Sequence, residues 1–106
     1  MDICIIKTTV QNKEEGLRIA RSLIQNRFAA CVNIIPNISS VYYWKDKIVE
    51  DCESILLIKT RKLLFDKVKD EIKKLHSYEV PEILLIPLEN SEKTYLSWLL
   101  GNTAEV

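Results

Sequence analysis

Glycine and histidine are almost missing from this chain: 106 residues contain two glycines, Gly16 and Gly101, and one histidine, His76. With so few glycines no Gly-rich loop can cradle a phosphate, and neither G-x-x-x-x-G-K-[ST] nor G-x-S-x-G occurs. One histidine with no cysteine near it in sequence leaves no nucleophile–base pair to name, so no catalysis is expected. Neither sign of charge is in surplus, since fifteen Lys and Arg balance fifteen Asp and Glu. That removes the overall signature of a nucleic-acid or anionic-membrane binder. No apolar run approaches the ~20 residues of a membrane span. Met1-Asp2-Ile3 also lacks the basic start of a signal peptide, so a cytoplasmic protein is expected. Cys4, Cys31 and Cys52 are odd in number and far apart, without a C-x-x-C pair. Reduced thiols are therefore expected, rather than a disulfide framework or zinc knuckle.

What the chain has in abundance is β-branched and aromatic residues in one stretch, Ala29 to Thr60. Two β-rich arms meet at Lys45-Asp46-Lys47, and Val, Ile, Tyr42, Tyr43 and Trp44 dominate them. This composition suits a pleated, half-buried surface. At ~3.3 Å per residue such a hairpin would reach about 45 Å, whereas a compact domain of this size has a diameter of about 33 Å. The hairpin outruns its own domain. Its distal half carries Ile38, Val41, Tyr42, Tyr43, Trp44, Ile48 and Val49, and apolar groups on so exposed a ribbon call for cover by another chain.

The remaining pattern fits a single domain over residues 1–106. Asp2–Thr9 reads as a buried strand. A helix follows, capped by Asn12 with Glu15 three residues on, and carrying Leu17, Ala20, Leu23 and Ile24 at helical spacing and Arg27 in its last turn. A strand from Ala30 is broken at Pro36-Asn37 by a bulge or bend and resumes to Trp44, and its partner returns from Ile48 to Lys59. Thr60 is expected to cap a second helix, Arg61–His76, with Leu64, Val68, Ile72 and Leu75 on one face. Glu82–Pro87 reads as another buried strand, and Ser91 as the cap of a final helix that stops at Gly101. Two right-handed β-α-β crossovers with helices on one face give an α+β ferredoxin-like sandwich, an antiparallel sheet with a long protruding hairpin.

Five stretches in this order carry a family resemblance: Ala29-Ala30-Cys31 running to Pro36; Ser40-Val41-Tyr42-Tyr43-Trp44; Glu53 with Lys59-Thr60; His76-Ser77-Tyr78-Glu79-Val80-Pro81-Glu82; and Tyr95-Leu96-Ser97-Trp98. Together they resemble the CutA divalent-cation tolerance proteins over nearly the whole chain. The resemblance implies a tight homotrimer, a fold relationship to the PII-type signalling proteins, and an association with tolerance of copper and other divalent metals. In some members the proposed copper ligands are a cysteine near the end of the first strand and two adjacent histidines. Here those positions hold Lys7, Leu75 and His76, so only His76 matches. One imidazole is a weak site, because selective copper or zinc binding needs three or four nitrogen or sulfur ligands. The competing expectation is that His76 caps the C-terminal end of its helix and packs under Tyr78.

Other residues are weighed in the same way. Cys31 reads as a small buried hydrophobe. Trp44 and Trp98 read as interface anchors in preference to pocket walls. Asp51 and Glu53 share one strand face with Lys59, and with Tyr78 they form either an ion-pair network between subunits or the wall of a small-molecule cleft. An acylphosphatase shares the topology but needs an arginine in the loop after the first strand, where Lys7-Thr8-Thr9-Val10-Gln11-Asn12 stands instead. An RNA-recognition domain needs stacking aromatics on its first and third strands, and Ile3–Lys7 and Ser54–Lys59 have none. Two classes stay open. One is a metal-responsive binding protein that requires no cofactor and takes copper or another divalent cation through His76 and acidic side chains at subunit boundaries. The other is a PII-like structural or signalling trimer that holds a small molecule or partner in an inter-subunit cleft.

Overall fold

A computed structural model describes residues 1–105 as one four-stranded antiparallel sheet and three helices. Strand β1 (Ile3–Val10) leads to helix α1 (Lys13–Gln25), and the hairpin β2 (Cys31–Trp44) and β3 (Lys47–Arg61) follows. A 3-10 turn (Lys62–Leu64) opens helix α2 (Phe65–Leu75), and the chain ends in β4 (Leu84–Pro87) and α3 (Lys93–Gly101). The strand order β2-β3-β1-β4 is the ferredoxin-like one.

Local chemistry accounts for the main elements. Asn12 Oδ1 accepts the Glu15 amide proton at 2.9 Å, the expected helix cap. Pro36-Asn37 falls in the register shift between Ile35 and Ile38, with Asn37 at φ 59°, so the expected bulge is present. The hairpin closes on two residues rather than three. Lys45 and Asp46 lie at φ 51° and 65°, and Lys47 already pairs with Trp44. Two successive left-handed residues match the right-handed twist of the flanking strands. The long axis of the chain measures 45 Å against 25 and 21 Å across, so the hairpin does overreach.

Several further details depart from the sequence reading. Strand β4 is shorter than expected and is not buried, because it lies at a sheet edge with Leu84 and Ile86 on the face that the helices leave open. Thr60 caps no helix: it stays in β3 opposite Cys4 and donates to Phe28 O at 2.5 Å, while α2 starts later without a side-chain cap. Arg27 lies beyond α1 at φ 59° and donates to Gly101 O at 3.0 Å, so it is a tertiary strut and not a charge in the last turn. Ile24 is exposed, because the buried stripe of α1 runs through Gly16, Ile19, Ala20 and Leu23. Glu92, not Ser91, caps α3, accepting from the Tyr95 amide at 2.8 Å.

Alternation along the strands decides what each face carries. Cys4, Ile6, Val10, Leu56 and Ile58 point to one side and form the core with Ile19, Leu23, Val68 and Ile72 of α1 and α2. The opposite face belongs to Ile5, Lys7, Thr9, Ile35, Ile55 and Leu57, with Leu84 and Ile86 from β4. Helix α3 covers only the end of that face near Ile3. The middle is left open, and Ile35, Leu84 and Ile86 remain 43%, 52% and 43% exposed.

Gly16 marks how closely α1 lies on the sheet. A Cβ there would stand 3.0 Å from Leu56 Cδ2 and 3.3 Å from Val10 Cγ2. The helix-propensity gain of Gly16→Ala is about 1 kcal/mol, and overpacking a filled core costs roughly 1–3 kcal/mol. Crowding by two side chains of the sheet should prevail, lowering stability by about 1 kcal/mol. Urea midpoints at one fixed protein concentration check this, and a midpoint raised by the substitution would contradict it.

Candidate functional site

A cavity of about 790 Å³ opens where the base of the hairpin meets the segment 77–82 on the uncovered side of the sheet. Three elements build it. Lys7 and Thr9 reach it from β1 by strand alternation. Beyond the bulge, Ile38, Ser40 and Tyr42 share a face with Glu53 and Asp51, because the register sets Ile38 opposite Glu53 and Ser40 opposite Asp51. The third wall is the connector from α2 to β4, with Tyr78, Glu79, Val80 and Glu82.

His76 holds that connector in place. It is the C-cap of α2, and its extended backbone (φ −78°, ψ 139°) turns the chain out of the helix. Its side chain is fully buried. Nε2 lies 2.7 Å from Thr9 O and donates to it, while Nδ1 accepts the Tyr78 amide proton at 3.0 Å. A nitrogen that accepts an amide proton carries none of its own, so the 3.6 Å approach of Glu15 Oε1 to Nδ1 is not an ion pair. The ring packs against Tyr78, centroids 4.7 Å apart, as expected, but it caps no carbonyl of α2: the backbone N–H of His76 does that, onto Ile72 O, while the ring reaches across to β1. Neither ring nitrogen is left for a metal without displacing Thr9 O or the Tyr78 amide. No group of three His, Cys, Asp or Glu that could hold a metal ion occurs among the described residues.

Two phenol–carboxylate bonds line the floor. Tyr78 donates to Glu53 Oε2 at 2.5 Å, and Tyr42 donates to Asp51, its diagonal neighbour across the hairpin. Glu53 is 5% exposed. The bond to Asp51 is the main reason that the Tyr42 phenol is pushed from 10.0 up to about 12. Tyr78 is raised further, first by burial and then by its bond to Glu53. Lys7 Nζ meets Glu82 Oε2 at 3.1 Å.

Lys59 does not join this group. Its ammonium stands 5.7 Å from the Tyr95 ring centre, and Tyr95 lies against Trp98 with centroids 5.5 Å apart. The charged side chains expected together on one strand face are therefore split between the two ends of the open face. Trp98 remains 45% exposed beside Tyr95, and Trp44 borders the cavity at its far end, 41% exposed. Among the cysteines Cys4 is buried, Cys31 half-buried and Cys52 exposed, and all are free thiols. Burial pushes the Cys4 thiol up to about 11.

Residues 4–102 match the family model of the CutA1 divalent ion tolerance protein. The chain belongs to the CutA1 family. It is 45% identical over 101 residues to the chloroplastic Protein CutA 1 of Oryza sativa, covering 95% of this chain and 57% of that protein. It is 43% identical over 99 residues to the divalent-cation tolerance protein CutA of Thermus thermophilus, covering 93% of this chain and 96% of that one. The chain thus spans a little over half of the rice relative and nearly all of the bacterial one. Among solved structures, CutA1 from Oryza sativa superposes with a TM-score of 0.97 at 42% identity, over all of this chain and 97% of that chain. The Thermus thermophilus protein gives 0.93 at 42% identity over 96% and 99%. The ferredoxin-like architecture is shared with these CutA1 structures.

The Lys7–Glu82 pair and the Thr9–His76–Tyr78–Glu53 chain escaped the sequence reading. Each joins residues distant in sequence, and no spacing rule announces it. Only the Tyr78 amide on His76 Nδ1 is local, a contact two residues long.

The raised phenols give a signed pH dependence. A phenol whose folded value lies above its ordinary 10.0 adds stability that is whole below about pH 10. For Tyr42 that contribution is lost as the pH rises through about 12. Tyr42→Phe should therefore flatten the alkaline fall in the urea midpoint between about pH 10 and 12. Parallel curves for the wild-type and substituted proteins would contradict the assignment.

Proposed function

We propose that this CutA1 chain works as a homotrimer in divalent-cation response, by binding a ligand in the cavity at the edge of its open sheet face and not by catalysis. The observation that carries the reading is the geometry of that face. From Ile38↔Glu53 to Trp44↔Lys47, β3 pairs with β2 alone, since its pairing with β1 ends at Ser54. A two-stranded ribbon is marginal in water, and this one presents Val41, Tyr43 and Ile48 at 66%, 74% and 65% exposure. Burying one such side chain stabilises by about 1.5–3 kcal/mol. Both β2 and β4 are edges, so ribbon-to-edge pairing between copies joins unlike surfaces, and such a contact ends in a finite assembly only by closing into a ring. The resemblance to CutA proteins supports a three-fold ring.

What argues for binding over catalysis is that the one imidazole has both nitrogens engaged, and so offers no base beside a nucleophile. A PII-like signalling role, in which the occupied cleft is read by a partner, is the second reading. It is favoured by the cavity's position beside the surfaces assigned to assembly. Metal chemistry through His76 fits less well, because a fully buried ring cannot meet its copies across a subunit boundary without opening the Thr9–His76–Tyr78 contacts. Three free cysteines suit a reducing, cytoplasmic setting.

Light scattering should give about 37 kDa, three chains of 12.3 kDa. Ile35→Asp or Tyr43→Asp, at sites exposed in the single chain, should shift the mass toward the monomer without unfolding it. A wild-type monomer at micromolar concentration would defeat the proposal. Calorimetric titration with copper(II) should show only weak, superstoichiometric binding. A tight site of one ion per subunit that is abolished by His76→Ala would restore the metal-sensor reading.

A further inference from the structure

The charge of the cavity is lopsided. Its wall holds the carboxylates of Glu53, Glu79 and Glu82 against the single ammonium of Lys7, and Lys7 is engaged by Glu82 at 3.1 Å. An entering anion would meet a cation already neutralised and two carboxylates in excess. Glu53 is the more telling of the two. It is 5% exposed, and its Oε2 takes the Tyr78 phenol. Its Oε1 has no hydrogen-bond partner among the described residues, yet keeps contact with open space. A buried carboxylate with one unused oxygen facing a cavity is an acceptor waiting for a charged donor.

The rest of the wall narrows the chemistry. The rings of Tyr42 and Tyr78 border the cavity, and aromatic faces attract cations. Both phenols are held protonated well into alkaline pH, Tyr42 chiefly by its bond to Asp51 and Tyr78 by burial and then its bond to Glu53, so the rings stay neutral. Ser39, Ser40 and Ser77 offer hydroxyl oxygens to further N–H donors, and Ile38 and Val80 offer apolar surface. A divalent metal wants three or more strong donors at one point, which the described residues do not assemble. An ammonium needs one carboxylate, a ring face and room for its carbon skeleton.

We propose that the cavity binds a small organic cation, an alkylammonium compound whose charged nitrogen docks on Glu53 Oε1 between Tyr42 and Tyr78. The inference rests on the reading of the cavity as a ligand site and adds the class of the ligand. Lys7 then acts as a specificity residue: by neutralising Glu82 it sets how many carboxylates the cation meets.

The test uses one carbon chain with three charges: 1,4-diaminobutane, 1,4-butanediol and succinate, titrated into the whole protein by calorimetry and by amide chemical-shift mapping. The diamine should bind and perturb the amides of Ser39, Glu53 and Tyr78, with the diol and the diacid at least about tenfold weaker, the factor expected for a lost charge-assisted hydrogen bond. Glu53→Gln should weaken the diamine by about tenfold. Lys7→Gln, which frees Glu82, should strengthen it, a sign that a merely structural role for Lys7 would not give. Should Glu53→Gln alter assembly, the wild-type mapping and Lys7→Gln carry the test. Succinate or butanediol binding at those amides as tightly as the diamine would overturn the cation and keep the ligand site. No perturbation there by any of the three probes, in an assembly of unchanged mass, would overturn both.

Discussion

A four-stranded sheet has two faces, and this chain has helix enough for one. Helices α1 and α2 cover the face of Cys4, Ile6, Val10, Leu56 and Ile58 so closely that Gly16 is the only residue type fitting its position without displacement. The other face receives α3 at one end only, over Ile3. Along its middle run Ile5, Ile55, Leu57 and Ile86, a dry stripe that a lone chain leaves against water. The hairpin adds to the imbalance, because its outer part pairs with no third strand. Both features are the same deficit, apolar β surface without a covering layer, and the assembly proposed above would meet both at once.

The cavity follows from where that stripe stops. Moving along β1 from Ile5 to Lys7 to Thr9, the open face changes from apolar to charged to hydroxylated within five residues. Lys7 sits at the change, and Glu82 neutralises it from the connector. On β3 the same change runs from Leu57 and Ile55 to Glu53 and Asp51. The connector is fixed over this polar end by one chain of contacts: Thr9 O, the His76 ring, the Tyr78 amide and phenol, and the Glu53 carboxylate. Buried and fully engaged, the imidazole serves as a spacer of fixed geometry, and loss of any link would release the wall that carries Tyr78.

Short-range features could be read from the residues alone. The Asn12 cap, the bulge at Pro36-Asn37 and the overlong hairpin each depend on a few adjacent side chains or on strand length, which sequence displays. Thr60 failed as a helix cap because its β-partner Cys4 and its acceptor Phe28 O are fixed by tertiary register, which outweighs a local capping preference. Arg27 failed for a similar reason, drawn out of the helix to Gly101 O. At the site, the residues Glu53, Asp51, Tyr78 and Trp44 were visible as candidates, but their grouping was not. Alternation alone put Lys59 with Glu53, whereas six residues of extended strand separate them by roughly 20 Å. Tyr78–Glu53 joins the connector to a strand through a turn of unpredictable direction, so no periodicity could reveal it.

The proposed assembly and the proposed ligand site share one surface. Cavity and dry stripe share β1 and β3, and the ribbon that borders the cavity is the ribbon that a neighbouring copy would cover. A charged ligand docked on Glu53 would change the electrostatics of the Tyr42–Asp51 and Tyr78–Glu53 bonds together, since each phenol also feels the neighbouring carboxylate. Those bonds fix the part of the ribbon next to the bulge, and in the proposed ring the ribbon's angle would set how it meets the next copy. By linkage, a ligand that favours one ribbon angle must bind more tightly to the assembly that has it, and the assembly must in turn favour the ligand. The sheet face left uncovered by the fold would therefore supply both the reason for the proposed ring and the route by which occupancy of one cleft is felt in it.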